Sequence, residues 1–287
     1  AAMPYPSGAA QAELFDTVLG VAIDRYNRLW TIDHGNHCMR TARIVAIDLD
    51  TNEILRNQAL SPDIAPAGSF LQDLQVSADG NTVVIADASF WRKSPAIIVY
   101  DVETGEARRV LESHASVSAE NYVIRSGDRE MKFFGGVVAL RGGVDGIALG
   151  PEWLYYGALS GSGLYRVLLK DLLDESLPPN QLANRVERIG DKPLSDGLSI
   201  DIEGNIYITD VEHGSIFVTG AGKNLKTLIQ APDMRWPDAL SFGPDGYLYI
   251  ADSALAELIL QSREHIEAQG PYRIFRLQPG VDGVPGQ

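Results

Sequence analysis

The sequence predicts an all-β fold, a β-propeller of four-stranded antiparallel blades, from three observations. First, one pattern recurs in five places: a short apolar strand, a Gly/Asp/Asn turn, a second apolar strand, then Asp or a small residue. The copies are residues 19–33 (LGVAIDRYNRLWTID), 72–87 (QDLQVSADGNTVVIAD), 144–157 (VDGIALGPEWLYYG), 195–210 (SDGLSIDIEGNIYITD) and 237–252 (PDALSFGPDGYLYIAD). Second, the repeat keeps step, because Gly20 and Asp73 are as far apart along the chain as Asp48 and Asp101. Third, helices are scarce, and residues 253–270 (SALAELILQSREHIEAQG) form the one clearly helical stretch. Four strands per repeat of roughly 40–50 residues is the pattern of a propeller blade. A doubly wound α/β fold would need a helix between strands.

Each element has a local cause. The inner hairpins turn at Asp79-Gly80-Asn81, Glu203-Gly204-Asn205 and Asp245-Gly246, where Gly and Asn accept the positive φ of a tight turn. Residues 42–55 (ARIVAIDLDTNEIL) and 96–111 (AIIVYDVETGEARRVL) supply third and fourth strands, with weaker third strands at 163–168, 215–219 and 272–277. Five blades are visible in one propeller domain, residues 1–287, with residues 1–15 as an N-terminal extension. Within each hairpin, Asp73 and Asp87, Asp196 and Asp210, and Asp238 and Asp252 share one spacing about a central turn, so each pair lies at the open end. The insertions at 112–142 and 253–270, and the loop at 88–95, open on the same channel mouth.

Composition narrows the function. With 24 basic against 38 acidic residues the net charge is −14, and basic runs stop at pairs such as Arg108-Arg109, so nucleic acid is not an expected partner. No apolar stretch approaches the roughly 18 residues of a membrane span. One cysteine, Cys38, excludes an internal disulfide framework and a multi-cysteine zinc site. The chain starts Ala1-Ala2-Met3, a start that signal-peptide removal would leave, which favours a periplasmic or secreted location over a cytoplasmic one. There is no Gly-x-Ser-x-Gly elbow and no His-Glu-x-x-His, and Gly220-Ala221-Gly222-Lys223 lacks the spacing of a phosphate loop.

What remains is a set of carboxylates around one channel. Asp73, Asp145, Asp196 and Asp238 start the inner strands, and their repulsion needs an offset. A hard divalent cation such as Ca²⁺ would provide it, as would a proton kept on one member for acid–base chemistry. Alternatively, such residues satisfy exposed backbone N–H groups. Asp33, Asp87, Asp210 and Asp252 end the second strands, as blade-end caps or ligand contacts. Asp210 has His213 three residues on, the spacing of a carboxylate orienting a general base. His34, His37 and Cys38 fall close enough to hold a transition metal. Trp91 and Trp236 flank mouth loops and, with His34, are candidate ligand contacts.

The segments RLWTIDHG, IIVYDVETGEARRVL, GVDGIALGPEWLYYGALSGSGLYRV, SDGLSIDIEGNIYITDVEHGSI and PDGYLYIADSAL resemble the major royal jelly protein/yellow family across nearly the whole chain. The resemblance implies six blades, and Pro4-Tyr5-Pro6-Ser7 resembles a family segment that follows about one more blade, which would leave the first blade incomplete. Bacterial members are commonly labelled hydrolases or lactonases. A more distant likeness, to the regucalcin/gluconolactonase family, implies a channel cation. Its Asp ligand matches Asp196 and an Asn ligand matches Asp145, the other Asn falls near Gln72-Asp73, and its N-terminal Glu has no counterpart. Together these imply a lactonase-type hydrolase of a small hydroxylated ring ester. Its divalent cation would be held by Asp73, Asp145, Asp196 and Asp238, and catalysis would draw on Asp196, Asp73, Asp210 and His213. The competing readings are a non-catalytic binder of a small amine and a metal-free isomerase using Asp210 and His213.

Overall fold

A computed structural model of the chain describes residues 3–220, 222–284 and 286; Ala1, Ala2 and Ala221, on which two of the readings above fall, lie outside the described residues. Five antiparallel sheets follow one another along the chain. Blade 1 is β1 (Val18–Ile23), β2 (Arg28–Asp33), β3 (Arg43–Asp48) and β4 (Ile54–Ala59). Blade 2 is β5 (Leu71–Val76), β6 (Thr82–Asp87), β7 (Ala96–Asp101) and β8 (Ala107–Val110). Two small hairpins come next, β9 (Arg125–Ser126) with β10 (Arg129–Glu130), and β11 (Lys132–Phe133) with β12 (Val138–Ala139). Blade 3 is β13 (Val144–Leu149), β14 (Trp153–Ala158), β15 (Gly163–Leu168) and β16 (Glu187–Asp191). Blade 4 is β17 (Leu198–Ile200), β18 (Ile206–Asp210), β19 (Ser215–Thr219) and β20 (Lys226–Gln230). Blade 5 has three strands, β21 (Pro237–Phe242), β22 (Leu248–Asp252) and β23 (Arg273–Leu277). The propeller expected from the repeat is present, with five blades among the described residues.

Burial explains why these segments are strands. In β6, Val83 and Ile85 pack toward blade 1 while Val84 and Ala86 pack toward blade 3. Side chains alternate across a strand, so a blade held between two others is apolar on both faces. β6 and β13 are accordingly buried along their whole length, whereas β1 alternates. On β1, Leu19, Val21 and Ile23 are 43, 58 and 52 % exposed. Among the described residues, the extensive packing of β1 on β5, β5 on β13, β13 on β17 and β17 on β21 has no counterpart of that extent between blades 5 and 1. A short strap crosses the lower end instead. Ile202 N donates to Asp282 O (3.0 Å), Val284 N donates to Ile200 O (3.1 Å), and Gly286 reaches the backbone of Ile23 and Asp24.

The helix expected over residues 253–270 is corrected to two short ones, Leu255–Leu258 and Arg263–Ala268. Leu260 has φ 58° and breaks the run, and Ser262 restarts it by accepting from His265 N. The first helix packs with Ile124, Met131 and Phe133 of the 112–142 insertion onto Phe90, Leu159, Leu194, Val211 and Trp236. This apolar cluster roofs the end of the blades where the inner strands begin.

Candidate functional site

The inner hairpins do not pair regularly. Register skips between Val18 and Val21, Leu71 and Leu74, Val144 and Ile147, and Pro237 and Leu240. A β-bulge of this kind sets an extra residue against the partner strand and re-aims a side chain. In blades 2, 3 and 5 the skipped stretch contains Asp73, Asp145 and Asp238. In blade 4, pairing starts only at Leu198, and the amides of Asp196 and Gly197 donate to Thr209 Oγ1 at 3.1 and 3.0 Å. Glycines let neighbouring inner strands touch at this level. A Cβ on Gly20 would lie 2.6 Å from Gln72 O, one on Gly146 2.5 Å from Asp196 O, and one on Gly197 inside contact with Asp238 O. Bulge and glycine together bring four carboxyls from four blades within electrostatic reach.

They are not equivalent. Asp145 and Asp196 are 3 and 6 % exposed, while Asp73 and Asp238 keep partial access to solvent although protein surrounds them. Asp196 Oδ2 accepts from Trp236 Nε1 at 2.6 Å, and its carboxyl is electrostatically coupled to that of Asp145. Asp145 Oδ2 meets no N–H or O–H donor among the described residues. Burial, then the charges of Asp196, Asp238 and Asp73, push the Asp145 carboxyl well above the usual range. Burial and Asp238 do the same to Asp196. Burial and their mutual charge both oppose ionising the two carboxyls together, which favours keeping a proton on the pair. Asp73 accepts from Leu74 N (2.8 Å) and Ile147 N (3.2 Å), and burial outweighs those bonds, pushing it up to about 7.

A buried cation stands behind the pair. Lys192 Nζ donates to Ala158 O (2.8 Å), Pro193 O (3.1 Å) and Ser195 Oγ (2.9 Å). Its stem crosses where a Cβ on Gly157 would sit. Burial lowers it to about 7 against the attraction of Asp145, Glu120, Asp196 and Asp210. Nothing in the sequence singled out this lysine, because a lone Lys between Asp191 and Pro193 reads as surface. The glycine at 157, on a strand otherwise rich in large residues, was the available signal.

As the side chains stand they do not form a cation cage. Among the described residues no three of His, Cys, Asp and Glu gather as a ligand set. The oxygens of Asp73 and Asp196 already accept N–H bonds. Ca²⁺ takes six to eight oxygens.

Other candidates fall elsewhere. Asp33, Asp87 and Asp252, placed among ligand contacts by sequence, are instead spent on clamping each blade's incoming backbone. Asp33 accepts from Asp16 N and Thr17 N, Asp87 from Phe70 N, and Asp252 from Arg235 N and Trp236 N. Arg109 and Arg235 pair with Asp87 and Asp252 at 2.9 and 3.3 Å. Trp236 is fully buried, its indole committed to Asp196. Asp210 Oδ2 does meet His213 Nδ1, at 2.9 Å, but the imidazole stands in solvent at the rim. Trp91 and His34 remain at the mouth with His37. His34 Nδ1 accepts from His37 N at 2.7 Å, which leaves the proton of the neutral ring on Nε2. That nitrogen is therefore a donor and not a metal ligand, and burial holds the Cys38 thiol up at about 12. No helix among the described residues is long and apolar enough to cross a membrane.

Comparison with known proteins agrees with this architecture. Major royal jelly protein 6 of Apis mellifera is 26 % identical over 175 residues, covering 56 % of this chain and 38 % of that protein, so the match spans well under half of the relative. Among solved structures, a luciferin-regenerating enzyme superposes with a TM-score of 0.62 at 12 % identity, covering 94 % of this chain and 81 % of that one. A gluconolactonase from Xanthomonas campestris gives 0.51 at 16 % identity, covering 81 and 68 %. At such identities these two share the fold. The model of the family described as major royal jelly protein matches residues 16–269, and the chain belongs to that family.

Proposed function

We propose that the protein is a lactonase-type hydrolase of a small ring ester, working by proton transfer in the channel. The carrying observation is the buried Asp145–Asp196 pair with Asp73, which keeps partial access to solvent, beside it. The fold shared with a gluconolactonase supports the same direction without deciding the substrate. Ionised Asp73 takes a proton from water as its oxygen bonds to the ester carbonyl carbon. The proton held by Asp145 and Asp196 passes to the ring oxygen as the carbon–oxygen bond breaks, a hydroxy acid leaves, and the proton gained by Asp73 returns to the pair through solvent, restoring both groups. Two carboxyl sites with different proton affinities divide the base and acid roles.

No step here runs through a cation, because the oxygens of Asp73 and Asp196 are already taken up by N–H donors. A divalent ion implied by the distant likeness would have to displace the shared proton. The test is hydrolysis of a panel of small lactones across pH. Because Asp73 acts ionised and is pushed up to about 7, the rate should rise with pH through that value. Asp73→Asn should lower kcat by about 10²–10⁴-fold and remove that limb. An unchanged Asp73→Asn profile would discard the reading, and a rate restored by Ca²⁺ after chelation would put the cation in the proton's place. Absence of turnover together with calorimetric binding of amines would favour the non-catalytic binder.

A further inference from the structure

We propose that His34, His37, Phe70, Phe90 and Trp91 form a platform at the channel mouth for a planar aromatic ring bearing a carbonyl or ester oxygen. Resting on the hydrolase reading, this makes the ring ester turned over below an aromatic-fused one. His37 stacks on Phe70 with centroids 4.5 Å apart at 26°, and His34 meets Phe70 edge-on at 4.9 Å. Trp91 stands edge-on to His37 at 6.2 Å and to Phe90 at 4.6 Å, and remains 52 % exposed. Exposed tryptophan beside stacked rings offers what an aromatic ligand prefers, offset or edge contact over a large rigid surface.

The platform also holds a hydrogen-bond donor. His34 is 2 % exposed and its Nδ1 accepts from His37 N, which leaves Nε2–H as the donor of the ring, an atom that is not fully enclosed by protein. A ligand oxygen placed over that nitrogen would accept from it in place of water. Burial keeps this ring neutral at ordinary pH, with its affinity for a second proton down at about 4. His37 Nδ1 is without a partner among the described residues.

The backbone under the rings is held in an unusual form. Gly35, Asn36, His37 and Cys38 have φ of 53, 53, 57 and 55°, four left-handed residues in succession. Left-handed backbone is unfavourable at each non-glycine residue there. Asp33 Oδ1 accepting from Gly35 N (2.8 Å), Cys38 N on His34 O (2.6 Å) and Gly68 N on His37 O (2.8 Å) hold the turn in place. Phe70 immediately precedes β5 and Asp73 lies three residues on within its bulge, at most about 10 Å away at strand rise, which a two-ring ligand spans.

Saturation-transfer NMR with coumarin, a fused aromatic lactone, against δ-valerolactone, the bare ring, tests this. Coumarin should bind at least tenfold more tightly. Trp91→Ala should remove that preference, and His34→Phe, which keeps the ring and removes the donor, should weaken coumarin several-fold. Equal affinity for the two lactones, or a Trp91→Ala protein that still prefers coumarin, overturns the platform. Trp91-dependent coumarin binding without hydrolysis of any lactone keeps the platform and ends the hydrolase reading. Hydrolysis with no aromatic preference does the reverse.

Discussion

Gly197→Ala is expected to lose about 3 kcal/mol of stability, the upper end of what overpacking usually costs. The added methyl would sit inside contact with the carbonyl oxygen of Asp238 on the neighbouring inner strand, and a backbone oxygen in a sheet cannot swing aside. Blades 4 and 5 would have to separate at the level of the carboxyls, so activity should fall with stability. Gly190→Ala is the control, because a Cβ there meets nothing within 4 Å and its φ is ordinary. Urea unfolding of both variants is the measurement. Equal midpoints for the two would show that close strand contact is not what assembles the ring.

Lys192→Met should be nearly as damaging. It strips three hydrogen bonds at once and leaves Ala158 O, Pro193 O and Ser195 Oγ buried without their donor. Removing one side of a buried charged arrangement typically costs about 3–5 kcal/mol. A second consequence separates charge from packing. Without the ammonium, Asp145 and Asp196 lose a positive neighbour and should hold their proton to still higher pH, visible in the carboxyl carbon shifts of labelled aspartate. Blade 3 lacks the clamping carboxylate of blades 1, 2 and 5, carrying Ala158 at that place, and Lys192 ties it across to blade 4 instead. A Lys192→Met protein with wild-type unfolding and wild-type carboxyl shifts would remove the lysine from the site.

Strand order and blade boundaries were legible because they depend on alternation and turn chemistry, which are local. β15 and β19 fall where the weak third-strand copies at 163–168 and 215–219 put them. The register was not legible. Counting evenly around the turn sets Asp73 opposite Asp87, whereas Leu71 is the residue paired there. A bulge depends on contacts with the next blade, through residues such as Gly20 and Gly146, and leaves little mark on its own segment. The same holds for Asp33, Asp87 and Asp252. Their type suits a ligand contact and a backbone clamp equally, and the amides they accept from precede them by a full hairpin. Lys192 was hidden for the opposite reason, since its burial is produced wholly by surrounding loops.

The bulges carry a consequence for how such a channel changes chemistry. Facing in a strand follows parity, so deleting one residue from a bulged stretch, Gly146 for instance, would restore an even ladder and swing the preceding carboxyl toward the opposite face. Single-codon insertions and deletions at four equivalent places can therefore add or withdraw acidic groups from the pore lining while every strand keeps its partners. Length variation within an inner hairpin is a route to new pore chemistry that substitution alone does not offer.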